Sequence, residues 1–394
     1  MVCERVRLAC AILAQKAAIH EPSPVGGRRR GSQRNPEKSI TSSIERVSMT
    51  HRIAILGGSG FVGRHLAEKL CKEGHSVRVL TRRRERHRED LLVLPGLELV
   101  EADVFDPMSL EGQLRDRDVV VNLVGILNED RRGRQDLPPA RHGDFERVHI
   151  ELPRLVANTC GRLGVRRLLH MSALGASPIA PSAYLRSKGL GEEIVRQAGE
   201  DSASLGHFTY LNGPKLLWGR GLKVTSFRPS VIFGEGDSFF NRFADLLRQV
   251  PLVIPLAKAQ ARMQPVWVED VVSAFVRALD DERTYGQAYD LCGPEVFTLM
   301  ELVRYTQSQI GTHRAIVGLP DFVAEIQASV LERLPGKLLT RDNLRSLSVD
   351  NVCRRNDLKE VFGIDATPIA SVVPTYLGGR GNRAARLAEI RQRR

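Results

Sequence analysis

The stretch His51–Gly63, HRIAILGGSGFVG, constrains this chain more than any other. Ile53–Leu56 is an apolar run of strand length, and glycines follow three apart at Gly57, Gly60 and Gly63. Phe61, Val62, Leu66 and Leu70 then recur at helical spacing. The order predicts strand, tight turn and helix, the setting in which a Gly-x-x-Gly-x-x-Gly run becomes specific. Each glycine has a physical task. Gly57 makes the sharp turn, Gly60 lets backbone approach a pyrophosphate, and Gly63 lets the helix pack close to its strand. With Ser59, Phe61 and Val62 between them, the N–H groups of this turn and the helix N-terminus face the phosphates of a dinucleotide.

The chain downstream repeats the same alternation. Ser76–Leu80 predicts a second strand, which runs into Thr81, Arg82, Arg83 and Arg84 with no acid. A carboxylate at this point would hydrogen-bond a ribose hydroxyl, whereas a guanidinium fork matches a 2′-phosphate. Arg82 and Arg83 therefore point to NADP(H) over NAD(H). Leu97–Val100 is the third strand, ending near Asp103 and Val104. Val119–Val124 is the fourth, and its near-continuous apolar character suits a parallel strand covered on both faces. Leu123, Val124 and Gly125 then lie where backbone passes the cofactor. A helix over Phe145–Leu163 and a strand at Arg167–Met171 follow. Strands alternating with helices imply an α/β fold, a Rossmann doubly wound parallel sheet.

The fifth strand ends at Ser172, and Tyr184 and Lys188 open the next helix, four apart and on one face. A cationic Lys188 would lower the pKa of the Tyr184 phenol for proton transfer, with Ser172 hydrogen-bonding the same substrate oxygen. Pro229 lies in the run Arg228-Pro229-Ser230-Val231-Ile232-Phe233-Gly234 that closes the sixth strand, Lys223–Arg228.

These residues resemble the short-chain dehydrogenase/reductase superfamily in its extended or atypical branch. Within it, HMSALGAS, YLRSKGLGEE, FRPSVIFGEGD, Gln264–Val271 and Leu339-Thr340-Arg341-Asp342-Asn343 are most similar to the family of accessory subunit nine of mitochondrial complex I and its bacterial relatives. The resemblance covers roughly 50–377. It implies a dinucleotide-binding protein with a respiratory-complex or membrane-surface partner. It places the protein in the cytoplasm, peripheral at the inner membrane, or in the matrix of a eukaryote. Two departures border the site. His149 stands where many relatives have asparagine, and 201–222 resembles an insertion.

Charge bears on partners. Residues 1–48 and 378–394 each carry +5 of the formal +12, so the intervening body is nearly neutral and no specific nucleic acid is expected. The expected organisation is a leader at 1–49, disordered or outside the true start at Met49. A dinucleotide-binding domain follows at 50–234, returning for about 265–292. A smaller lobe takes 235–264 and 293–377, and 378–394 form a basic tail. In that lobe Phe322, Val323, Ile326, Val330 and Leu331 form either a core stripe or a partner-facing one, with core the expectation. The six cysteines show no metal-like spacing, so no metal site and no disulfide framework are expected.

Three functions compete at this stage. One is hydride transfer from NADP(H) to a carbonyl, with Tyr184 as acid and base. Another is nucleotide binding as an accessory or assembly factor, linked to complex I or quinone metabolism. The third is nucleotide-sugar epimerisation.

Overall fold

Beginning at Arg52, the chain lays down strands whose carboxyl ends all leave the same edge of one sheet. The computed structural model describes residues 50–377, apart from 88–90, 92–93, 130–142, 204–220, 251 and 334–338. The expected leader, the basic tail, most of the loop over 128–142 and most of the 201–222 insertion lie outside the described residues.

The first half alternates as the sequence predicts. β1 (Arg52–Leu56) leads to α1 (Phe61–Lys72), then β2 (Ser76–Thr81), β3 (Leu97–Glu101), α2 (Pro107–Leu114) and β4 (Val119–Asn122). After them come α3 (Leu152–Leu163), β5 (Arg167–Met171), α4 (Ala183–Ala203) and β6 (Lys223–Pro229). The fourth strand stops at Asn122, so Leu123 and Val124 are already loop. Ahead of α3, Arg147–Glu151 forms a π-helical turn within what the pattern predicts as an unbroken helix.

The second half contains α5 (Phe240–Gln249), β7 (Val253–Leu256), α6 (Val268–Arg277), β8 (Gln287–Leu291) and α7 (Leu299–Ile310). It closes with β9 (Ala315–Gly318), α8 (Asp321–Leu331), α9 (Arg341–Ser346) and α10 (Ile369–Leu377). The main sheet is parallel throughout, in the order β3-β2-β1-β4-β5-β6-β8. The chain reverses direction between β1 and β4, the crevice in which such sheets bind ligands.

Both sheet faces are covered, as parallel strands require. Ile53, Ile55, Val77 and Val79 pack with Leu66 and Leu70 of α1 and Phe275 of α6. Ala54, Leu56, Val120 and Leu168 pack with Val156 and Cys160 of α3 on the opposite face. Cys71 and Cys160 are buried thiols, as expected of small core residues. A further apolar cluster joins α5, α7 and α10 through Phe240, Leu247, Leu302 and Val373.

Two expectations fail here. Cys292 and Cys353 form a disulfide across a sequence separation of 61, which their spacing did not signal. The bond fastens the residue after β8 to the segment following α9. On α8, Phe322, Ile326 and Val330 are 69%, 62% and 53% exposed rather than core, and the buried positions are Ala324 and Ala328. Small side chains let α8 lie close against Leu344 of α9, and so the apolar stripe faces outward.

Candidate functional site

At the carboxyl edge of the sheet the glycine turn is tight. Gly57 takes φ +77°, and a Cβ there would come within 3.1 Å of the backbone of Leu123 and Val124. Gly63 is packed harder still, since a Cβ would lie 2.5 Å from the Gly57 carbonyl oxygen. The Gly60 N–H donates to that same oxygen at 3.0 Å and closes the turn. The first turn of α1 contains no acid, and its N-cap Gly60 supplies no side-chain cap. The N–H groups of this helix end therefore have no competing anion beside them, and the cradle fits a pyrophosphate.

The β2 end lies alongside. Ser59 Oγ donates to Thr81 Oγ1 at 3.3 Å, tying the glycine turn to the last residue of β2. Arg84 is committed to structure, its backbone N–H bonding Glu101 and its Nε the Leu99 carbonyl. Arg82 and Arg83 are exposed, and their side chains make no hydrogen bond or ion pair among the described residues. Asp103, exposed beyond β3, accepts the Phe105 N–H, and Val104 is buried beneath it. Asn122 was missed by the sequence reading. Its Oδ1 accepts the Val124 N–H at 3.2 Å and fixes the start of the Leu123–Gly125 loop.

Lys188 lies beside that loop and is tied to the residue before Ser172. Lys188 Nζ donates to the Met171 carbonyl at 2.6 Å, and a Cβ on Gly125 would sit 3.7 Å from the same nitrogen. Among the described residues Ser172 Oγ is buried without a hydrogen-bond partner, and such a hydroxyl is ready to serve a ligand oxygen. The Pro229 carbonyl accepts the Leu174 N–H, so the β6 end and the segment after Ser172 are held together.

Burial pushes the Tyr184 phenol up to about 12. Burial also lowers Lys188 itself to about 8, a fall that the nearby Glu192 carboxylate opposes. At about 8 Lys188 still carries its charge at neutral pH.

His149 proves to belong to the site. It lies on the π-helical turn, fully buried, with its ring 5.6 Å edge-on from Tyr184. Nε2 accepts the Ile126 N–H at 3.1 Å, which places the proton on Nδ1 for donation to Ser187 Oγ at 2.8 Å. Ser187 in turn donates to the Tyr184 carbonyl at 2.9 Å. One directed chain thus runs from the cofactor loop to the first turn of α4. Its only trace in the sequence was histidine standing where many relatives have asparagine.

Comparison with known proteins agrees with this geometry. The chain is 29% identical over 318 residues to NADH dehydrogenase (ubiquinone) 1 alpha subcomplex subunit 9, mitochondrial, of Arabidopsis thaliana, covering 77% of this chain and 71% of that protein. It is 28% identical over 282 residues to a ceramide reductase of Caulobacter vibrioides, with coverages of 68% and 74%. The crystal structure of an NADPH-dependent quinone oxidoreductase from Escherichia coli shares the fold, with a TM-score of 0.59 at 16% identity over 82% of this chain and 99% of that one. Residues 53–292, more than half of the sequence, match the description NAD dependent epimerase/dehydratase. The phosphate cradle at Gly57–Gly63, the parallel sheet around it and this match lead to one conclusion: the chain belongs to the NAD dependent epimerase/dehydratase family and binds NAD(P).

Proposed function

We propose that this protein binds NADP(H) in preference to NAD(H) and acts as a nucleotide-binding accessory protein of a respiratory complex, at a membrane surface. The observation that carries the cofactor preference is the pair of exposed, uncommitted guanidinium groups of Arg82 and Arg83 at the end of β2. In this reading Gly57–Gly63 holds the pyrophosphate, and Arg82 and Arg83 hold the 2′-phosphate. Asp103 and Val104 border the adenine, while Leu123–Gly125 and Pro229 border the nicotinamide. Tyr184 and Lys188 hold its ribose. The accessory role is supported by the likeness to complex I subunit 9 over 77% of the chain. Among the described residues no helix is long and apolar enough to cross a membrane, which is compatible with a peripheral position.

A second reading has one observation behind it. Ser172 Oγ is buried without a hydrogen-bond partner among the described residues, as an enzyme that orients a carbonyl oxygen would need. The nicotinamide would supply the hydride, Tyr184 the proton and Ser172 the bond that orients the oxygen. Mass spectrometry of nucleotide released from the purified protein tests the cofactor reading. A screen for NADPH oxidation by quinones and ketones separates binder from enzyme.

A further inference from the structure

Lys188 is buried, and among the described residues its one hydrogen bond goes to a neutral group, the Met171 carbonyl, at 2.6 Å. A buried ammonium needs an opposite charge nearby to stay ionised. Three of the titratable side chains that face it supply none. Burial keeps the His149 and His170 imidazoles and the Tyr184 phenol in their neutral forms. The fourth is Glu192, also buried, one turn further along the same face of α4.

Glu192 does not belong to Lys188 alone. Arg228 Nε donates to both of its carboxylate oxygens, at 2.8 and 3.0 Å, and Arg228 Nη2 donates to one of them. Sheet register explains why they converge. Met171, which holds Lys188, sits opposite Phe227, and Arg228 is the next residue of β6. Arg228 in turn stands opposite Asp290 of β8, with 3.8 Å between their charged groups. Beyond it Asp357 accepts the Asp290 N–H and pairs with Arg355. Charge therefore alternates from the site outwards, through Lys188, Glu192, Arg228 and Asp290.

We propose that Glu192 is a positioning residue of the nucleotide site that acts through charge: shared between Lys188 and Arg228, its carboxylate keeps the lysine cationic inside the fold. Asp290 strengthens that hold by balancing Arg228. The nucleotide then meets an ammonium rather than a neutral amine. That last step rests on the reading in which Lys188 holds the ribose; the charge array does not.

The test is an NMR titration of the full-length protein carrying isotope-labelled lysine, from about pH 6 to 10, with the Lys188 signal assigned by its loss in Lys188→Arg. Glu192→Gln keeps the shape of the side chain and removes its charge. It should lower the Lys188 midpoint by about one pH unit or more, tenfold in proton affinity. Asp290→Asn should lower it by less. A purely structural role predicts the opposite sign, because loosened packing lets water reach the ammonium and raises the midpoint. An unmoved or raised midpoint in Glu192→Gln would overturn the proposal, and if that variant does not fold, the same result in Asp290→Asn would. Calorimetric titration of NADP⁺ over the same range gives the second readout. The wild type should lose affinity as Lys188 deprotonates, and Glu192→Gln should lose it about one pH unit earlier. NADP⁺ affinity that ignores pH, while the NMR midpoints move as expected, refutes the ribose reading and upholds the charge array.

Discussion

The Asp342 carboxylate caps the helix that carries Tyr184, accepting the Tyr184 N–H at 3.0 Å across 158 residues of chain, and the Ala183 N–H at 2.7 Å. Ser182 serves the same helix end, its Oγ accepting the Leu185 N–H and its carbonyl the Arg186 N–H. Three of the donors that a helix start leaves over, those of Ala183, Tyr184 and Leu185, are thereby satisfied, two of them from α9. Asp342→Ala strands two of these donors. It should destabilise the protein by about 1–2 kcal/mol, the usual scale for a lost cap. Asp342→Asn should recover part of that. Chemical denaturation midpoints equal to wild type would disprove the coupling.

The cofactor preference makes a sharper demand. NADPH should bind at least about tenfold tighter than NADH, a difference of about 1.4 kcal/mol. Replacing Arg82 and Arg83 together by Ala should erase that difference and leave NADH binding nearly unaltered, because neither side chain supports the fold. Equal affinities in the unmodified protein would refute the preference.

Features written locally were legible, and those made by distant contacts were not. Val119–Val121 and Ile53–Leu56 are short unbroken apolar runs, of the kind a parallel sheet covered on both faces uses. The glycine turn is equally local. By contrast, the Asp342 cap, the Asn122 clamp on Val124 and the His149–Ser187 bond leave no periodic trace. The outward stripe of α8 shows why periodicity can mislead. Phe322, Ile326 and Val330 recur at helical spacing, but so do Ala324 and Ala328, and spacing alone does not say which set faces in.

Acid should unfold this protein through its buried imidazoles. Burial, reinforced by Lys188, holds His149 at about 2, and burial likewise holds His170 at about 3. Unfolded histidine titrates near 6.5. Above that pH both states are neutral and nothing changes. Below it the unfolded chain takes up protons that the folded chain refuses, so stability falls by about 1.4 kcal/mol per pH unit for each histidine. His149→Asn should remove one proton from that slope between about pH 6 and 4. Stability measured against pH for both proteins checks it; parallel curves would show that His149 titrates normally.

The Cys292–Cys353 disulfide should add to stability without shaping the site. Closing a 61-residue separation removes chain entropy equivalent to about 4 kcal/mol at most on the loop-closure argument. Non-covalent ties span the same junction, including Asn356 Nδ2 to the Cys292 carbonyl and the Cys353 N–H to Gln264 Oε1. Cys353→Ser, or reduction of wild type by dithiothreitol, should therefore lower the melting temperature and spare NADPH affinity. A melting temperature indifferent to both treatments would deny the bond a stabilising role.

Binder and enzyme separate at one oxygen. Tyr184→Phe keeps the ring between Phe145 and His149 while deleting the phenol. The Tyr184 hydroxyl has no hydrogen-bond partner among the described residues, so the fold should not register its loss. Cofactor affinity should drop by no more than the worth of a hydrogen bond to ribose, about 1 kcal/mol. In an enzyme the same change should slow turnover by roughly 10²-fold or more, the scale of general acid catalysis. In a binder it should leave the cellular role nearly whole, while Gly60→Leu, which blocks the pyrophosphate, abolishes it. We expect the second pattern, because the likeness to complex I subunit 9 spans 77% of this chain. A Tyr184→Phe strain as impaired as a deletion would reverse the assignment and make Ser172, Tyr184 and Lys188 a catalytic set.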